Sequence, residues 1–364
     1  MYYSNKEFGL QPGTMVIMSD GKTKKVEEFC VGDYVMGIDN LPKKVHRLFS
    51  GKSEMYTVKQ ARGIEYTVTK DHKLYLYVRD TNLKNNLKLK TPEEWLVLSE
   101  HKKIVSCGIR RIEPIEMPEV TVKIDPYILG CWLGDGDRTS TTVIVNRTRD
   151  LEILHYFQRY AESNNLNLKI AIRNRVDYND DIVRVTLQKI NGNRGNNFDT
   201  NYLIPGLVHY NLFYNKHIPK DFIFNSLSVR RKLLAGFIDT DGYYDPTKGR
   251  YIIQQNKEHL IDELVILIRS LGMYGNKSKI FHKGHDNIPD TISYRLHISL
   301  SNSQNIECLI NRKKKTYQSK RNKHTSRIDI AYVGVGPYIG FEIEDNLFLL
   351  ADQTIAHDCK YLEF

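Results

Sequence analysis

The chain has 364 residues, 41% of them apolar and 26% charged, which fits two or three folded domains and excludes a disordered or fibrous polypeptide. Its net charge of +10 favours an anionic partner such as nucleic acid. No stretch approaches the roughly 18 uncharged apolar residues of a membrane helix, and five cysteines without paired spacing exclude a disulfide framework and a zinc cluster.

Residues 1–8 contain no apolar signal core, so the expected setting is reducing and intracellular, with no membrane partner. Residues 10–80 alternate apolar and polar positions and are broken by Asp-Gly and Gly-Asp turns. Helical periodicity is poor there, so the expectation is a compact all-β unit. Within it, Thr69 and His72 stand three apart at a turn. Residues 79–119 form a bridge. Thr91 at an N-cap, Pro92 at N1 and acids in the first turn start a helix, Trp95 is a core anchor, and Lys84, Lys88, Lys90, Lys102, Lys103, Arg110 and Arg111 make a basic surface. Pro114 and Pro118 mark a linker.

The next segment contains a duplicated pattern. Residues 128–136 (ILGCWLGDG) and 234–242 (LAGFIDTDG) share apolar runs, a glycine and a terminal Asp-Gly. Such helices pack closely through their small residues and present Asp135 and Asp241 at their ends. After the first comes a strand over 139–145 and an amphipathic helix over 150–165 with Leu151, Leu154 and Phe157 on one face. Residues 182–188 alternate as a strand. After the second come a strand over 250–255, a helix over 257–271 and a strand over 292–300. The order occurs twice, which implies two pseudo-symmetric halves. From 311 to 327 there are eight Lys or Arg and no acid, a solvated run that phosphate contact would also explain. Residues 340–344 and 347–351 are again strands, leading to His357, Asp358 and Cys359. Neither end completes a domain alone, so the two ends are expected to close one β fold around the inserted body.

The duplicated decapeptides resemble the two motifs of the LAGLIDADG homing endonucleases. The resemblance implies that Asp135 and Asp241 hold Mg²⁺, and that the halves together read a long, asymmetric double-stranded DNA site. It places a catalytic lysine at Lys216, in the stretch 215–219 (NKHIP). The mate of that lysine from the other half is not evident: Thr291 stands where the family would have Lys, with Lys279 or Lys283 as substitutes.

The termini resemble an intein, most closely the fungal vacuolar-ATPase type. That family has a nucleophile at its first residue, a Thr-x-x-His block, and a terminal His-Asn followed by Cys, Ser or Thr of the host. The matching positions are Gly9, Thr69, His72, His357, Asp358 and Cys359. In such a domain a side-chain nucleophile attacks the preceding carbonyl, here that of Phe8, while Thr69 and His72 hold developing charge and supply a proton. Cys359 takes the acyl group, and the terminal Asn cyclises with help from His357. Gly9 has no side chain and Asp358 lacks the amide nitrogen, so both bond-breaking steps are lost. That pattern suggests an engineered, splicing-blocked precursor.

The expected architecture is therefore multidomain. An all-β, horseshoe-like Hint splicing domain is built from 9–119 and 328–358, with 79–119 helping to grip DNA. An α+β, pseudo-twofold LAGLIDADG endonuclease occupies 120–311, and 312–327 is a basic linker. Residues 1–8 and 359–364 are host (extein) remnants, joined in cis. The expected molecule is a monomer, intracellular, with nuclear access for cleavage if eukaryotic, and it needs no cofactor for splicing. The alternative is a free-standing endonuclease whose intein-like domain has decayed into a DNA-binding module.

Overall fold

The computed structural model describes residues 8–79, 86–172, 181–190, 200–284, 289–317 and 324–358. These form two compact units, one from Met1–Glu116 with Arg321–Phe364, the other from Met117–Lys320.

The first unit is built on two long strands, Pro42–Gln60 and Thr325–Ile343, paired antiparallel from Ile328↔Gln60 to Ile343↔Val45. One register shift falls between Tyr332 and Gly334, whose φ of 97° suits only glycine without strain. Short strands Tyr34–Met36, Tyr66–Thr69, Leu74–Val78, Leu87–Lys90 and Ser106–Ile109 extend this framework. Val16, Val35, Val58, Val68, Phe341 and Leu350 fill its core. The helix Pro92–Leu96 starts with a capping box: Glu94 N–H donates to Thr91 Oγ1 (3.2 Å) and Thr91 N–H to Glu94 Oε2 (2.8 Å). Trp95 is buried in the same core. Two of the seven cations read as a basic surface are not on the surface. Arg110 and Arg111 are buried, and Arg111 donates to Asn40 Oδ1 (2.6 Å) and Pro114 O (3.3 Å). Lys84 lies outside the described residues.

In the second unit, helices Pro126–Asp135 and Leu227–Asp241 pack against each other along a glycine seam. A β-carbon on Gly130 would run into the Leu233 carbonyl oxygen, and one on Gly236 into that of Tyr127. The same position in each helix thus faces the same position in the other. Asp125 caps the first helix and Ser226 the second. A three-stranded sheet, Leu166–Ile172, Ile182–Lys189, Val143–Asn146, accompanies the first helix; a four-stranded sheet, Gly242–Asp245, Arg250–Gln255, Thr291–Ser299, Tyr274–His282, accompanies the second. Helices Leu151–Ser163 and Glu258–Ser270 back the two sheets.

Local readings differ from the sequence in three places. The strand expected from 139 begins at Val143, because Asp137 Oδ1 captures both the N–H and Oγ1 of Thr139 in a turn. Leu151 is exposed at the start of its helix, and Ile153 takes the inward place beside Leu154 and Phe157. Residues 312–317, read as linker, pack within the second unit: Tyr251 Oη donates to Lys313 O (2.8 Å), and Thr316 and Tyr317 N–H donate to Tyr244 Oη (3.0 and 2.9 Å). Among the described residues no helix is long and apolar enough to cross a membrane.

Candidate active sites

The second unit brings Asp135 and Asp241 to one place. Each is the last residue of its seam helix, and a β-carbon on Gly134 would sit 3.2 Å from Asp241 Cβ. The charge of Asp135 opposes ionisation of Asp241. Burial and the charge of Asp135 push the Asp241 carboxyl up to about 7. Asp135 remains open to solvent at the tip of its helix although protein surrounds it, and desolvation moves it upward as well. Gln255 Nε2 donates to Asp241 Oδ2.

Lys216 and Lys313 flank the pair. Lys216 Nζ donates to Leu133 O (3.1 Å) and Gly134 O (3.3 Å), the free carbonyls at the end of the first helix, and lies 5.2 Å from the Trp132 ring centre. Burial pushes it down to about 8, while Asp135 and Asp241 pull the other way. Lys313 Nζ donates to Ile238 O (2.9 Å), Asp239 O (2.6 Å) and Thr240 O (3.3 Å) at the end of the second helix. Burial also lowers its pKa. Both lysines stabilise both carboxylates and complete the negative ends of their helices. The lysine that stands beside the acids opposite Lys216 is Lys313, from the basic run, where the sequence offered Lys279 or Lys283. Lys279 is on the strand Tyr274–His282, paired with Tyr294. Nothing in the run of cations Arg312–Lys315 marks Lys313 out; only its burial does.

The donor set fits a divalent cation. Burial raises both carboxyls and the charge of Asp135 adds to the shift of Asp241, so a cation between them would relieve both, and hard oxygen ligands suit Mg²⁺. Among the described residues no group of three or more His, Cys, Asp or Glu has metal-holding geometry, so these two acids would be the protein's side-chain share.

The first unit gathers the splice-site residues. Gly9 N–H donates to Thr69 Oγ1 (3.0 Å), and Thr69 N–H to Gly9 O (3.1 Å). Leu10 is held on both sides of its amide by Ile339 (2.9 Å each way). His72 is buried, its Nδ1 without a hydrogen-bond partner; burial, with His357 nearby, pushes the imidazole down to about 3, so it is neutral. His357 Nδ1 bonds Asp358 O. Asp358 Oδ2 accepts from Ile343 N–H (2.7 Å), and Asp358 N–H donates to Asn346 O (2.6 Å). Cys359 lies outside the described residues. Position 9 is tightly enclosed: a β-carbon there would overlap the Tyr338 ring and stand 2.8 Å from Ile339 O. A β-carbon on Gly340 would collide with Phe8 O and the Phe49 ring.

A β unit carrying the splice-site constellation and a helix seam ending in paired acids define a Hint-type domain with a LAGLIDADG endonuclease body. Comparisons agree. The family model described as Hom_end-associated Hint matches residues 10–113, and the homing endonuclease model matches 217–324. The chain is 40% identical over 74 residues to the catalytic subunit of the V-type proton ATPase of Candida tropicalis, covering 18% of this chain and 7% of that protein. It is 25% identical over 185 residues to the replicative DNA helicase DnaB of Mycobacterium intracellulare, covering 51% of this chain and 25% of that protein. The chain thus spans only a small part of each relative's length. Among solved structures, the gp41-1 intein is 22% identical at a TM-score of 0.18, covering 23% of this chain and 79% of that one. Mesophilic variants of the homing endonuclease I-DmoI are 14% identical at a TM-score of 0.30, covering 49% and 89%. The chain is an intein with an inserted homing endonuclease domain.

Proposed function

We propose that the endonuclease body cuts both strands of a long, asymmetric DNA site in a Mg²⁺-dependent reaction centred on Asp135 and Asp241. The observation that carries this reading is the pair of like-charged carboxylates at the ends of the two seam helices, bracketed by Lys216 and Lys313. Bound Mg²⁺ would supply Lewis-acid activation of water and neutralisation of the leaving oxygen. The chain's own part is to hold the two acids in register through the glycine seam. Lys216 and Lys313 set a positive potential where charge grows on the phosphoryl group. Basic side chains elsewhere supply the salt-sensitive attraction to phosphates.

Splicing is blocked at both scissile bonds in this reading. With Gly9 no thioester forms. Asp358 has no amide nitrogen for cyclisation, and its carboxylate is turned to Ile343 N–H. Thr69, His72 and His357 remain as the supporting frame. Residues 1–8 and 359–364 are host segments held in cis, the protein acts as a monomer, and it works inside the cell with access to nuclear DNA where the host is eukaryotic. The matched relative makes the gene for a V-type proton ATPase catalytic subunit the first host to test.

The test is digestion of a plasmid bearing the uninterrupted coding sequence of that host, beside a randomised target library, with Mg²⁺ and with chelator. Double-strand cuts that need Mg²⁺ and vanish in Asp135→Asn and Asp241→Asn support the assignment. No cut in either DNA, or cuts that survive both substitutions, overturns it.

A further inference from the structure

The second seam helix carries an acid that the first lacks. Asp239 stands where the first helix has Leu133. It is fully buried. Its Oδ2 accepts from Tyr127 Oη (2.9 Å), on the first helix, and from Leu309 N–H (2.7 Å); its Oδ1 accepts from Ile310 N–H (3.3 Å). Ile310 then begins one tight turn: Lys313 N–H donates to Ile310 O (2.9 Å). That turn ends with Lys313 Nζ on the carbonyls of residues 238–240. The carboxylate therefore fixes the root of the turn whose tip is the second lysine. A buried acid filled by three donors is costly to build and strongly destabilised when one partner is removed, so its place here needs a reason beyond packing.

The first lysine is held by other means. Ile218 N–H donates to Glu263 Oε2 (2.7 Å), and His259 Nε2 bonds Lys216 O (2.9 Å). Each lysine loop is thus pinned through its backbone by a carboxylate, but from different elements, and only the Lys313 loop is pinned by the motif helix itself.

We propose that Asp239 is a positioning residue for Lys313. It fixes the root of the Lys313 turn through the Leu309 and Ile310 amides, while Tyr127 only completes the shell of the buried carboxylate. The inference rests on the endonuclease reading, and its test separates the two. Single-turnover cleavage of the selected target is measured for the parent, Asp239→Asn, Lys313→Met and the double variant, with DNA affinity measured in parallel. Asp239→Asn is expected to slow cleavage about tenfold or more with affinity unchanged, and to add less than about twofold in the Lys313→Met background. Equal slowing in both backgrounds, or none in either, overturns the proposal. A second readout needs no cleavage: mass-spectrometric acylation of Lys313 in the full chain. Lys313 is protected in the parent and should label several-fold faster in Asp239→Asn, while Tyr127→Phe, which keeps both backbone bonds, should leave it protected. Unchanged Lys313 labelling in Asp239→Asn also overturns the proposal. If the parent cuts no DNA, the endonuclease reading fails, and labelling still decides the positioning role. Asp239→Ser replaces Asp239→Asn if the latter does not fold.

Discussion

Lys216 and Lys313 each hold the carbonyl end of the helix that carries one of the paired acids, one on each side of the seam. They are equivalent in placement although nothing around them in sequence is alike. Replacing either by Met should lower the cleavage rate by about a hundredfold, the scale of losing one preorganised charge from such a site. DNA affinity, measured by titration, should fall by no more than the loss of one phosphate contact. A variant that cuts normally would remove that lysine from the site.

The carboxylate pair should load the fold in a pH-dependent way. The Asp241 pKa is raised in the folded protein to about 7, against about 3.9 for an unfolded chain. Below that lower value both states hold the proton and the group has no effect. Between the two values the folded state binds more protons, so stability falls as pH rises. Above about 7 the penalty is constant. Asp241→Asn should therefore raise the melting temperature at pH 8 and leave it unchanged near pH 4, as read by calorimetry without divalent metal. Mg²⁺ should reproduce much of that gain in the parent, and less in the variant.

Gly130 and Gly236 permit the contact between helix backbones. Gly130→Ala and Gly236→Ala must part the helices, at about 1–3 kcal/mol each as overpacking costs go. Urea denaturation would measure it. Cleavage should fall further than stability explains, since the separation of the two acids depends on the same seam.

At the other site, the chain as it stands should give no ligated product on incubation, by denaturing gel. Gly9→Cys with Asp358→Asn restores the chemical groups, but a side chain at position 9 must displace the Tyr338 ring. Adding Tyr338→Ala should therefore increase ligation. Equal ligation with and without the third substitution would show that the ring yields freely.

Salt supplies a broader check. DNA affinity should fall steeply between about 50 and 200 mM salt, by orders of magnitude if several phosphates are contacted. A flat response would remove phosphate-led binding.

How much of this was legible in the sequence depends on whether a local pattern carried it. Asp135 and Asp241 were visible because each ends a helix motif that occurs twice, and Thr69, His72 and His357 because of order and spacing. Lys313 was not, since four adjacent cations are alike until Asp239 and Tyr251 bury one of them. Arg110 and Arg111 looked like surface for the same reason. The two long strands showed only as fragments. Gly51, Gly334, Gly336, Pro337 and Gly340 interrupt the alternation, and pairing across the chain, not local propensity, keeps Thr325–Ile343 extended.

That pairing has a consequence for biosynthesis. Strand Pro42–Gln60 leaves the ribosome long before its partner Thr325–Ile343 exists. The whole nuclease body is translated in the interval, and its own contacts lie within 117–320. The nascent β half must wait with an unpaired edge while the insert folds first, a state open to aggregation and to capture by chaperones. An insert that folded slowly would delay the β domain with it, so the speed of one domain is set by the other.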